Sequence, residues 1–343
     1  MPGRPRAFSG PDPPERVTAH DRAGTWIRLN SPRRMDWDTF TQLTLNGLTA
    51  GSTYALIALG YTLVYGVLKL LNFAHGDVFM VGSFIGFGVL QLLGGSTDPV
   101  VPVWLLLVAI TLAAMAGCAV LGVAIERFAY RPLRDAPRIA PLISALGVSF
   151  FLAYSMQLLF GAEQRDYDAF ALDNGALFFK GFDIGNVRVP LLRIIIIVAA
   201  FVLMALLWVL ATRTRTGKAM QATSYDREAA AMMGIDIDRV IVFAFVLGSA
   251  LAGAAGVLFA LRAPTFPSIG FLAGLKGFTA AVIGGIGSIP GAMAGGLILG
   301  FAEAYTQGYI STKWSDLLVF VILILFMLFR PQGLLGKADI RKV

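Results

Sequence analysis

Long apolar runs alternate along this chain with short breaks that are charged or rich in Gly and Pro. The runs span 42–66, 76–93, 102–126, 141–160, 191–212, 240–261, 290–309 and 315–330, with a shorter apolar piece at 277–287. Most exceed the ~17 residues a helix needs to cross a bilayer, and those near that limit still reach. None carries a charged face, which argues against an aqueous channel lined by charge. The pattern predicts an all-α polytopic transmembrane bundle of about eight spans plus broken or re-entrant segments. Small residues recur four apart at Gly82 and Gly86, at Gly248, Ala252 and Gly256, at Gly291 and Gly295, and at Gly296 and Gly300. That spacing lets helix backbones approach closely.

Charge sets the expected orientation. Residues 127–138 hold Arg127, Arg131, Arg134 and Arg138, and residues 213–239 hold five basic groups, so both loops should face the cytoplasm. Residues 161–190 carry three basic and five acidic groups and should lie outside. Phe178–Pro190 alternates enough for a short hairpin around Gly185-Asn186, either a rest for an external partner or a cap on the bundle. Arg33 and Arg34 before the first span, and Arg330, Lys337, Arg341 and Lys342 after the last, argue that both termini are inside. Eight plain spans would put both outside. Each half therefore needs one extra half-crossing, and each offers a candidate: Leu71–Asp77 and Gly284–Gly291.

Irregular backbone at membrane depth is tolerated only where it is buried in protein or lines a cavity. Broken segments in corresponding places of two pseudo-repeated halves point to a translocation site. Asn72, His75, Gly76 and Asp77, with Gly284, Gly285 and Gly287, are accordingly the candidate translocation path. The alternative makes 71–77 a surface loop in which His75 and Asp77 pair locally. Glu303, in an otherwise apolar span, is read as structural: it pairs with a polar neighbour in the bundle or marks a helix end.

The stretch 213–239 is the most strongly charged part of the C-terminal half. Ala229, Ala230, Met232 and Met233 can share one face of a short helix, with Asp226, Arg227 and Glu228 toward water. Gly234 would cap that helix and turn the chain. Small residues and methionines exposed between two spans suit a groove on another protein; the alternative is a solvated loop.

Composition adds exclusions. Charged residues are 14% and hydrophobic ones 57%, against ~25% charged in soluble domains, and mean hydropathy is +0.72. The single Cys118 excludes an intrachain disulfide, and no Cys/His spacing suits a metal. No catalytic, cofactor or metal residue is assigned. Of the net charge of +7, residues 1–34 supply +4, from seven Arg against Asp12, Glu15 and Asp21. The rest sits mostly in loops expected to face anionic membrane lipid, so nucleic acid is not an expected partner. Residues 1–34 lack a signal-peptide core and are expected to be a disordered extension, with Met35 a candidate start. No G-x-x-x-x-G-K-[ST] exists, so any ATP hydrolysis must come from another chain.

Four motifs together resemble one family. Glu228-Ala229-Ala230 followed by Gly234 is similar to the coupling motif of ABC importer permeases. The longer string Gly217–Ala222 through Asp226–Gly234, the signature Asn72-Phe73-Ala74-His75-Gly76, the Gly-rich Thr279–Gly300 and Arg330-Pro331-Gln332-Gly333-Leu334 resemble the branched-chain amino acid permeases, specifically the first of their two permease subunits. The resemblance covers roughly 35–337, leaving 338–343 as a cytoplasmic tail. It implies a bacterial inner-membrane subunit that imports Leu, Ile or Val by alternating access. It also implies a second homologous permease, two ATPase subunits and an extracytoplasmic binding protein. Gly217, Ala222, Asp226, Glu228, Ala229, Ala230 and Gly234 would form the ATPase-coupling loop. A permease of the same family for urea, short amides or another small amino acid is the nearest alternative. An ion-coupled transporter would need more intramembrane carboxylates than Asp77 and Glu303, and a passive channel would leave the coupling motif unexplained.

Overall fold

The computed structural model describes residues 37–93, 102–134, 136–137, 139–167, 181–185 and 187–336. The expectations for 1–34, Met35 and 338–343 lie outside these residues. Among the described residues eleven α-helices account for most of the chain: α1 (Trp37–Leu68), α2 (His75–Leu92), α3 (Val103–Ile125), α4 (Ile139–Phe160), α5 (Leu191–Arg213), α6 (Arg215–Tyr225), α7 (Arg227–Met232), α8 (Ile237–Ala260), α9 (Ile269–Gly284), α10 (Ile289–Tyr305) and α11 (Ser315–Phe329). Seven helical segments are long and apolar enough to cross a membrane, and α9 and α10, bent by 120° at their break, pass that test only as a pair. This is a multi-pass helical membrane protein.

A helix that is apolar all round belongs inside a bundle, and α1 does. It is buried along most of its length, whereas α4 and α11 expose most of theirs. Hydroxyls inside α1 bond back to the preceding turn, Thr49 to the Leu45 carbonyl at 2.7 Å and Ser52 to that of Leu48 at 2.7 Å, so they need no outside partner. The expected small-residue contacts form. Gly296 and Gly300 of α10 lie against Ala55 and Gly51 of α1, and Gly82 of α2 lies against Gly253 of α8. Cys118 of α3 is fully buried at that second contact, its Sγ 3.4 Å from the Val78 carbonyl.

The outer hairpin is present as β1 (Gly181–Ile184) and β2 (Val187–Pro190), paired antiparallel, with Gly185 at φ +64° in the turn; Phe178–Lys180 and Asn186 lie outside the described residues. This hairpin decides the orientation of α1. Arg193, just after β2, donates to Asn46 Oδ1 at 2.6 Å. Near the other end of α1, the Val67 carbonyl meets Arg227 of the basic stretch. With the basic turns inside, α1 therefore begins on the outer side, contrary to the expectation from Arg33 and Arg34. The C-terminal side does lie inside: Leu334 and Leu335 donate to Ile283 and Gly284 at 2.8 and 2.9 Å, where α9 ends. The extra crossing exists in the second half only. The apolar piece expected at 277–287 is a longer helix starting at Ile269, and α9 and α10 turn back on each other. The first half makes no extra crossing.

Candidate functional site

Three clusters carry the polar chemistry. The first is the break between α1 and α2. Lys69 takes a left-handed φ of +56° and ends α1. Residues 69–74 then run irregularly to His75, which already belongs to α2. Asn72, His75 and Asp77 are all buried. Asn72 Oδ1 accepts from the Ala74 amide at 3.1 Å and from the Tyr130 hydroxyl at 3.2 Å, and the same hydroxyl is 3.2 Å from the Leu71 carbonyl. Tyr130 is delivered there by a π-helical turn, Glu126–Tyr130, at the end of α3. The His75 ring stands edge-on to Tyr61 at 4.6 Å and touches Gly60. Asp77 accepts from Ser149 of α4. His75 and Asp77 thus do not pair with each other. Gly76 lies so close to Gly270 and Gly274 of α9 that a side chain there would collide with backbone.

Gly284, Gly285 and Gly287 lie elsewhere. They form the turn between α9 and α10, with φ of +102° at Gly285 and +94° at Gly287, values that disfavour side chains. Ser288 caps α10, accepting from Gly291 at 3.2 Å. The turn rests on Gln332–Gly336. The first set meets the start of α9 and the second forms its end, about 20 Å apart at helical rise.

The second cluster was not foreseen. Lys276 of α9 is buried and sits 2.8 Å from both Glu303 of α10 and Asp316 of α11, with the Tyr54 ring 5.8 Å away. Gln307 adds a bond to Glu303 Oε1 at 3.1 Å. Glu303 thus has the polar neighbour expected of it, and three helices are tied by one ammonium. A lysine inside an apolar run was the available signal, since intramembrane charges rarely lack a partner.

The third is the basic stretch, which folds as two helices rather than one. Thr214 caps α6, accepting from Gly217 at 3.1 Å. Gly217 packs on the last carbonyls of α5, and Ala222 closes α6 by accepting from Asp226 N–H at 3.1 Å. Asp226 caps α7 through Glu228 and Ala229 N–H at 2.9 and 3.0 Å. Gly234 has φ +83°. Its N–H reaches Ala231 at 2.9 Å and that of Ile235 reaches Ala230 at 3.1 Å, a Schellman closure. The expected apolar face is corrected: Ala230 is 3% exposed and points into the bundle, while Met232 and Met233 are 83% and 82% exposed. At ~100° per residue, Met232 lies about 200° round the helix from Ala230, so the two cannot share a face. Arg227 is exposed, as expected, but its guanidinium also reaches back to the Val67 carbonyl of α1. Partial burial and nearby Arg134 push its guanidinium down from the usual arginine value. Beside it, Asp238 of α8 binds Arg131 at 2.7 Å and also Arg134, which reaches Glu126. Among the described residues no cluster of His, Cys, Asp and Glu could hold a metal.

Residues 43–327 match the family described as the branched-chain amino acid transport system / permease component. The chain belongs to this permease family. It is 43% identical over 308 residues to the high-affinity branched-chain amino acid transport system permease protein LivH of Salmonella typhimurium, covering 89% of this chain and 98% of that one. The corresponding protein BraD of Pseudomonas aeruginosa is 43% identical over 305 residues, with the same coverage. A shorter match, 28% identical over 144 residues, joins 41% of this permease chain to 32% of the permease protein LivM of Escherichia coli.

Proposed function

We propose that this permease is one transmembrane subunit of an ATP-driven importer of branched-chain amino acids in a bacterial cytoplasmic membrane. Its partners would be a second, homologous permease, two ATPase subunits and an extracytoplasmic binding protein. The observation that carries the reading is the pair of bare methionines on α7. Two large apolar side chains stand out from a helix fixed at both ends, on the side marked cytoplasmic by charge. Flexible thioethers suit a groove on a partner. The relatives' names support the cargo, and a sequence without the G-x-x-x-x-G-K-[ST] loop is consistent with ATP hydrolysis on other chains.

In this reading the ATPase pair closes on ATP and displaces α6–α7, and the bundle alternates between outward and inward access. The break at 69–74 is the place where helices change direction during that motion. The cargo carries no net charge, which suits spans whose buried ammonium, Lys276, is already paired with Glu303 and Asp316. The test is a Met232→Glu, Met233→Glu double variant in the full complex. Both side chains are exposed, so insertion should persist while ATPase recovery and leucine uptake fall together. Normal recovery with normal uptake would make α7 a solvated loop. Uptake inhibited more strongly by urea or lysine than by isoleucine would overturn the cargo.

A further inference from the structure

Arg227 ties the basic stretch to the most buried helix of the bundle. Its Nε and Nη2 both donate to the Val67 carbonyl, at 3.1 and 2.7 Å. The last carbonyls of a helix have no partner within it and carry partial negative charge, so a guanidinium is a favoured cap. The contact is placed with leverage. Asp226, next to it, caps α7, and Lys69, two residues after Val67, is where α1 gives way to the polar break. Within the break, Asn72 is held by Tyr130. Tyr130 precedes Arg131 and Arg134, which grip Asp238 at the start of α8. Two arms thus leave the 213–239 stretch, one through Arg227 to α1 and one through Asp238 to α3, and both end at Asn72.

We propose that Arg227 is the positioning residue that passes movement of the ATPase-docking helix α7 to α1 and its polar break. This rests on the docking role given to α7 above, and predicts that docking and transmission are separable. Met232 and Met233 face the partner, whereas the Arg227 guanidinium, on an otherwise exposed side chain, reaches the Val67 carbonyl of the bundle. Removing the guanidinium should leave the ATPase subunits bound and their basal turnover intact, while the movement no longer reaches α1.

The experiment uses the whole complex with its binding protein in proteoliposomes, comparing wild type, Arg227→Gln and Arg227→Lys. The readout is ATP hydrolysed per leucine transported, beside ATPase recovery. In Arg227→Gln, recovery and basal hydrolysis should match wild type, and the ratio should rise about tenfold, the scale of a coupling lost between sites. Arg227→Lys keeps one donor and should recover part of the loss. An unchanged ratio in an assembled Arg227→Gln complex overturns the inference. Loss of the ATPase subunits from both variants also overturns it, because Arg227 would then serve docking itself. A wild-type complex that holds no ATPase subunit strikes the earlier reading instead. Should Arg227→Gln fail to insert, the ratio in Arg227→Lys decides: a wild-type value overturns the inference and an intermediate one supports it.

Discussion

The two breaks in the bundle solve one problem by different means. At 69–74 the interrupted backbone is satisfied largely by side chains, Asn72 accepting from Ala74 and Tyr130 reaching the Leu71 carbonyl, beside one main-chain bond from His75 N–H to Asn72 at 3.1 Å. At 285–288 it is satisfied by main chain: Leu334 and Leu335 donate to Ile283 and Gly284, and Ser288 N–H to Gly285 at 3.0 Å. A break held by side chains can be re-formed by rotating a few torsions. A break held by backbone against backbone needs glycine and has little freedom. The first is therefore the better place for a moving joint, and the second for a fixed corner.

Three substitutions test that contrast. Gly284→Val should do most, because its Cβ would run into the Gly291 carbonyl and neither backbone can yield. Overpacking of this kind costs about 3 kcal/mol or more, so little monodisperse protein should survive size-exclusion chromatography. Asn72→Leu should be milder. It strips the acceptor from Ala74 N–H and from one side of Tyr130, at about 1–3 kcal/mol for the unmet buried donor. The complex should assemble, unfold at lower temperature and transport poorly. Tyr130→Phe should do least, about 1 kcal/mol for the lost hydroxyl, visible as a small shift of the unfolding midpoint. Equal losses for Gly284→Val and Tyr130→Phe would erase the distinction between corner and joint.

Most of the bundle was legible because bilayer thickness writes itself into run length. The helices at 42–66 and 240–261 were found within a few residues at most ends; α1 begins earlier, at Trp37, because its first turns stand beyond the membrane beside the hairpin. α9 was seen only in part, since Gly270, Gly274 and Lys276 dilute its hydropathy while serving its packing. The Lys276 cluster was hidden for a related reason: its partners are 27 and 40 residues away, and nothing local connects them. The Arg227 contact was missed because its acceptor is a carbonyl, which every residue has and no sequence displays. The side of α1 was misjudged by weighting Arg33 and Arg34 over the parity of the first three spans. The Ala229–Met233 face failed because a six-residue helix was treated as one surface, when about half a turn already separates Ala230 from Met232.

The burial of Cys118 has a practical consequence. Its sulfur is wedged where α2, α3 and α8 touch, with none of its surface open, and it is the one cysteine in the sequence. Thiols react as thiolates, and a buried sulfur in an apolar contact is inert. The native chain is therefore a dark background for maleimide chemistry. A cysteine placed at Thr39 or at Met233 would report from a known side of the membrane, without any change to the contact that holds three helices together.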